Sequence, residues 1–166
     1  MSDVDELLAR RAEGIRQHLR EYIETDGAKG YLRDQTHAGG PKVALALVLK
    51  TVGRRTGREI LVPLTYAPWG DEYVIVASKG GTDEHPSWYL NLIARPEIDF
   101  QVKDKRFRGV WREAEGEERA VLWEYLTQYI RDYAVYQSRT SRRIPVLVLT
   151  ARERIGERWV LPEHQR

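Results

Sequence analysis

A chain of 166 residues, 42% hydrophobic and 31% charged, has the makeup of one compact domain with a single closed core rather than a fibrous or disordered chain. Its 27 basic and 25 acidic residues leave a net charge of +2, too weak a field to gather nucleic acid over the whole surface, so any anion-binding surface must be local. The absence of cysteine excludes a disulfide framework, a thiolate nucleophile and a cysteine-type zinc site, so redox chemistry would need a bound cofactor.

Ser2 is a candidate helix cap, and Val4, Leu7, Leu8, Ile15, Leu19, Tyr22 and Ile23 follow at helical spacing until Gly27 stops the pattern. This predicts an amphipathic N-terminal helix docked on the domain with a solvated side. Its basic residues Arg10, Arg11, Arg16 and Arg20 make peripheral membrane contact the alternative. The acidic start from Met1 to Glu6 lacks an apolar run of signal-peptide length, and no stretch approaches the ~20 apolar residues of a membrane span. The expected location is therefore cytoplasmic, with membrane association through the helix as the variant.

Gly27, Gly30, Gly39, Gly40 and Pro41 mark residues 25–42 as a loop. Val43 to Thr51 and Ile60 to Ala67 have strand length, and the polar stretch between Gly53 and Glu59 reads as a long basic hairpin tip. Tyr73 to Ala77 forms a third strand, ended by Ser78-Lys79-Gly80-Gly81. Pro86 opens a short helix whose buried side is assigned to Trp88, Leu90, Leu92 and Ile93, and which Arg95-Pro96 ends.

Ile98 to Val102 and Phe107 to Trp111 form a second hairpin around Lys103-Asp104-Lys105. Glu117 to about Gln137 reads as one helix, with Val121, Leu122, Tyr125, Leu126, Tyr129 and Tyr133 near one face. Ile144 to Leu149 is a closing strand, and the Arg- and Glu-rich remainder adds little. Strands joined mostly by hairpins predict an α+β fold, an antiparallel barrel with helices packed outside. The chain divides into an N-terminal helix and loop (1–38), a barrel domain (39–152) and a tail (153–166).

Three segments have chemistry to offer. The tip Gly53-Arg54-Arg55-Thr56-Gly57-Arg58 suits phosphate or carboxylate, or is a solvated turn; no Gly-Lys-Ser/Thr follows, so it is not a P-loop. Ser78-Lys79-Gly80-Gly81 puts a lysine beside free amides at a strand end, or is a plain glycine turn. Trp88-Tyr89-Leu90-Asn91-Leu92 offers aromatics to wall a flat ring, or to fill the core. Tyr129, Tyr133 and Tyr136 are spaced to share a helix face, where their hydroxyls would bind or protonate a substrate or cap a core edge. His18, His37, His85 and His164 are too scattered for a ligand cluster, and no metal is expected.

In order and spacing, Thr51 to Gly57, Ala77 to Gly81 and Trp88 to Leu92 resemble the deazaflavin-dependent nitroreductase family, over about Gly39 to Leu149. The resemblance implies a split β-barrel of the FMN-binding type that holds coenzyme F420. Arg54, Arg55, Thr56 and Lys79 would lie near its phosphate and acidic tail. The strand through Ile60, Leu61 and Val62 would lead to a ring lying along Pro63, Leu64 and Thr65. Val76, Ala77, Ser78 and Lys79, with Ser87, Trp88, Tyr89, Leu90 and Asn91, would complete the wall, and Tyr133 would reach the ring. Tyr66, Ser78 and Tyr136 would face the substrate.

The implied activity is hydride transfer from reduced F420 to a quinone, nitro-aromatic or enone, with Ser78 or Tyr133 stabilising negative charge on the acceptor or supplying a proton. Two positions depart from the family pattern: Ile60 stands where a basic residue is common, with Arg58 as its substitute, and Ile130 lies beside the first tyrosine of the row. A related enzyme using FMN is the first alternative, and a non-catalytic nucleic-acid-binding module the second. Barrels of this type often pair, which makes a homodimer the expected partner besides the small-molecule acceptor.

Overall fold

The protein, seen in a computed structural model, is described over residues 2–166; residue 1, where the expected N-terminal segment begins, lies outside the described residues. Ser2 starts helix α1 (Asp3–Glu24) with reciprocal caps: its hydroxyl accepts from the Asp5 amide, and the Asp5 carboxylate accepts from the Ser2 amide at 3.0 Å. Docking involves only the end of the helix, where Leu19, Tyr22 and Ile23 are buried, whereas residues 2–17 are exposed throughout. Tyr22 fixes that end, since its hydroxyl donates to the Ala46 carbonyl at 2.9 Å and accepts from the Lys103 amide at 2.7 Å. Gly27 follows the end of the helix in left-handed geometry, at φ 79°; a side chain there would strike the Lys103 backbone.

The following loop carries a two-residue strand, β1 (Leu32–Arg33), and a 3-10 turn at Thr36–Ala38. The remaining strands are β2 (Ala44–Val52), β3 (Glu59–Trp69), β4 (Glu72–Val76), β5 (Glu97–Val102), β6 (Lys105–Glu113) and β7 (Val146–Ile155). They run β2-β3-β4-β7-β6-β5, and β5 pairs back on β2 through Leu49 and Phe100, so six antiparallel strands close into the expected barrel. Leu47 and Leu49 point into the barrel core with Phe100, Leu147 and Leu149, while Ala46 and Val48 pack outward under α1. Burial on both faces explains why β2 reads as a continuous apolar run and not an alternating one.

Three helices complete the fold: α2 (Ser87–Ile93), α3 (Gly116–Tyr129) and α4 (Asp132–Ser138). The buried side of α2 is Tyr89, Asn91 and Leu92; Trp88 and Leu90 are half-buried and Ile93 is exposed, unlike the expected face. The single helix expected from residue 117 to 137 is broken at Ile130, which is extended at φ −131° and ψ 103°. The cause is tertiary. The Arg131 amide and guanidinium both reach the Gly39 carbonyl, and Ile130 is buried against Gly40, where a side chain would crowd both Gln35 and Ile130. Val121 is exposed, while Leu122, Leu126, Ile130 and Tyr133 form the buried side of the pair.

The C-terminal stretch contributes more than expected. Trp159 and Leu161 are buried against α1, and the Gln165 side chain bonds both the amide and the carbonyl of Leu61 at 2.9 Å. No helix among the described residues is long and apolar enough to cross a membrane.

Candidate active site

Strand β3 has one neighbour for most of its length. It pairs with β2 from Glu59 to Tyr66, but with β4 only from Ala67 to Trp69. Ladder bonds alternate along an antiparallel strand, so the peptide groups of Leu61, Pro63 and Thr65 face away from β2. Gln165 satisfies those of Leu61, and proline tolerates the position because no ladder bond is asked of it. The peptide groups of Pro63 and Thr65 are left at an open edge.

That edge borders a cleft of about 400 Å³. Val62, Pro63, Leu64 and Thr65 form one wall, and Val76, Ser78, Lys79 and Gly80 the end of the neighbouring strand. Trp88 closes one side, Ile130, Tyr133 and Tyr136 another, and Arg33, Gln35, His37 and Ala38 of the loop a third. Arg11, Ile15 and His18 of α1 reach the mouth. Gln35, itself buried, donates from Nε2 to the Thr65 hydroxyl at 3.1 Å and so steadies the open edge.

Two features set the electrostatics. Arg11, Arg33 and Lys79 bring cations to the rim, and burial lowers the pKa of the Arg33 guanidinium, which the adjacent Tyr133 partly offsets. Burial also pushes the Tyr133 phenol far above its ordinary range, with Tyr129 and Tyr136 adding to the shift, so it stays a neutral donor at any working pH. A partly apolar cleft with an open peptide edge and cations at the rim fits a flat, imide-edged heteroaromatic ring carrying an anionic chain. Among the described residues no group of His, Asp and Glu could hold a metal ion.

The F420H(2)-dependent quinone reductase family matches residues 14–151. The chain belongs to this family. The F420H(2)-dependent quinone reductase Rv1261c of Mycobacterium tuberculosis is 40% identical over 141 residues, covering 83% of this chain and 90% of that protein. Among solved structures, an F420-H2 dependent reductase, FDR-A, is 39% identical with a TM-score of 0.58, over 63% of this chain and 93% of that one. Another, described as a domain-swapped dimer, is 32% identical with a TM-score of 0.61 and covers 90% of this chain and 100% of the other. The resemblance drawn from the three motifs and the split-barrel fold are borne out. The protein is an oxidoreductase that depends on reduced F420 and delivers hydride to a quinone-type acceptor.

Within this quinone reductase, the cleft gathers Val62, Pro63, Leu64, Thr65, Val76, Ser78, Lys79, Trp88, Tyr133 and Tyr136 from the residues named by sequence. The others sit elsewhere. Leu61 is buried under α1 with Leu19 and Tyr22, further along β3 than the cleft, and Ala77 is fully buried. Tyr66 lies in the barrel core, its hydroxyl 3.0 Å from that of Tyr31, and burial and this contact raise its pKa. Tyr89 donates to the Glu113 carboxylate at 2.6 Å, while Leu90 packs on the barrel core and Ser87 is exposed. Ile60 is half-buried at the base of the hairpin, and Arg54, Arg55 and Thr56 stand exposed at its tip. Asn91 is buried and accepts on Oδ1 from the Arg54 amide at 3.1 Å and from Arg54 Nη1 at 2.9 Å, so it pins the tip and does not line the cleft.

The most consequential residue missed by sequence is Arg142. Its Nε donates to the Thr82 carbonyl at 2.7 Å, Nη2 to the Ser78 carbonyl at 2.7 Å and Nη1 to the Ala77 carbonyl at 3.3 Å. It thereby spans the turn that carries Lys79. The cluster Arg139, Arg142 and Arg143 is visible in the sequence, but as a basic patch and not as a clamp on carbonyls. Arg11, His18, Arg33 and Gln35 carried no local signal, because their approach to the cleft depends on where α1 and the following loop cross the barrel.

Proposed function

We propose that the F420 ring lies against the open edge of β3 at Pro63, Leu64 and Thr65, with the acceptor placed near Ser78, Tyr133 and Tyr136. The observation that carries this reading is the coincidence of the open Pro63–Thr65 edge with the cleft. When bound, reduced F420 supplies a hydride from a ring carbon. Lys79 and Arg33, at the rim of the cleft, are the cations best placed for its phosphate, and Arg54 and Arg55, at the tip that Asn91 pins, are the candidates for its acidic tail.

The protein's own contribution is binding, orientation and exclusion of water. Val62, Leu64, Val76, Trp88 and Ile130 provide the dry walls. Tyr133 is 9% exposed, and a phenol so reluctant to ionise donates a hydrogen bond to the acceptor oxygen without surrendering its proton. Its ring meets that of Tyr136 edge-on at 6.4 Å, which limits how far it swings. The Ser78 hydroxyl, on a turn held by Arg142, is the second donor.

The relative described as a domain-swapped dimer supports pairing of this chain as a homodimer. The catalytic reading is tested by mixing the protein with reduced F420 and a water-soluble benzoquinone and following the absorbance of oxidised F420. Turnover that stops when quinone is exhausted is expected. Oxidation no faster than in a protein-free control would overturn it.

A further inference from the structure

Among the described residues, nothing covers most of α1, whose residues 3–17 are all exposed. Val4, Leu7, Leu8 and Ile15 keep 64, 67, 57 and 48% of their surface exposed. On a helix of about 100° per residue, Val4, Leu8, Ile15, Leu19 and Tyr22 fall within about 60° of arc. The bare row therefore continues the face by which Leu19 and Tyr22 grip the barrel. The exposed run from Asp3 to Gln17 is at the limit of about 12 to 15 residues below which an isolated helix is marginal in water, and Gly14 weakens it further. The segment calls for a packing partner.

Its charges indicate which. The free end carries Asp3, Asp5 and Glu6, and the middle carries Arg10, Arg11, Arg16 and Arg20 against Glu13 alone. An anionic membrane would meet the acidic end first and be repelled by it. A second α1 lying antiparallel would set each acidic end against the other's basic middle, twice, with the apolar rows between them. We propose that the exposed half of α1 docks antiparallel on the same half of α1 in a second copy of this chain, forming a two-fold interface beside the cleft mouth.

This rests on the homodimer reading but not on the cofactor reading. Two short helix faces bury less than the roughly 1,200 Å² at the low end of stable interfaces, so the dimer dissociates on dilution. Because Arg11, Ile15 and His18 reach the cleft mouth from the same helix, the second copy stands at the acceptor's entrance.

Sedimentation velocity of the full chain across a wide concentration range tests the proposal. The expected result is a concentration-dependent dimer that becomes monomeric in Val4→Glu/Leu8→Glu, with F420 titration unchanged. Asp5→Arg and Arg16→Glu, which flank the apolar row on the same side, should each weaken the dimer at least tenfold, and together restore it. A wild type monomeric throughout would overturn both pairing and surface. A dimer persisting in Val4→Glu/Leu8→Glu would leave pairing standing and overturn the surface, and failure of the double charge exchange to restore association would overturn the antiparallel arrangement. A wild type that stays monomeric yet co-sediments with phosphatidylglycerol vesicles would assign the face to lipid.

Discussion

Nη2 of Arg142 donates to the carbonyl oxygen of Ser78 at 2.7 Å. With its bonds to Ala77 and Thr82, one guanidinium holds both ends of a turn in which Lys79, Gly80 and Gly81 all have positive φ, at 44°, 64° and 81°. A lysine in that region is strained, and the clamp helps offset the strain while aiming the side chain at the cleft rim. Arg142→Ala should weaken F420 binding about tenfold, or ~1.4 kcal/mol, the scale of losing charge-assisted bonds to carbonyls. Arg142→Lys should recover only part, since an ammonium cannot span three carbonyls. Calorimetric titration checks both, and unchanged affinity in Arg142→Ala would remove the clamp from the account.

Neighbouring glycines in the same turn should respond differently. At Gly81 a side chain would run into the Tyr136 backbone, whereas at Gly80 nothing lies within 4 Å. Gly80→Ala should cost about 1 kcal/mol for its left-handed conformation alone, and Gly81→Ala more than ~2 kcal/mol, because the turn and α4 must separate. Urea unfolding of the two variants measures the difference. Equal losses would mean that turn and helix are not locked together.

Tyr133→Phe removes a buried donor while keeping the ring. Turnover with quinone should fall about ten- to hundredfold, with F420 affinity and thermal midpoint nearly unchanged. Stopped-flow oxidation of reduced F420 provides the measurement; an unaltered rate would take Tyr133 out of the reaction.

His18 gives a pH prediction. Its Nε2 lies 2.7 Å from the Gly30 carbonyl, which can only accept, so the ring proton sits on Nε2, and the buried Nδ1 has no partner among the described residues. Protonation would force a charge onto Nδ1, and burial accordingly lowers the pKa from its ordinary value of 6.5, the Gly30 bond opposing this in part. The folded state then binds fewer protons than the unfolded one below about pH 6.5. The contribution of His18 to stability is full above that pH and declines as pH falls through the lowered folded-state value. Thermal midpoints of wild type and His18→Gln between about pH 7.5 and about pH 5 should converge toward the acid end. Parallel curves would contradict the assignment.

How much of this was legible in the sequence follows from the range of the forces involved. Ser78-Lys79-Gly80-Gly81 was readable because its backbone needs glycine, and the β2–β3 hairpin because burial dictates composition. The break at Ile130 was not, because the residues around it favour helix and only the distant Gly39 carbonyl overrides them. The resemblance places Asn91 on the cofactor wall, but the facing of a seven-residue helix is set by tertiary contact, and its bonds to Arg54 turn Asn91 to the hairpin tip. Trp159 and Leu161 were hidden among charged residues, and their role appears only where α1 meets them.

The central claim is that this cleft holds F420 by its ring along β3 and by its anionic chain at Lys79. It is tested most directly by titrating the fluorescence of oxidised F420, and of an analogue lacking phosphate and tail, with wild type and Lys79→Ala. The account predicts that wild type binds both, F420 more tightly, and that Lys79→Ala weakens F420 at least about fivefold while hardly affecting the analogue. No binding by wild type, or equal losses for the two ligands, would contradict it.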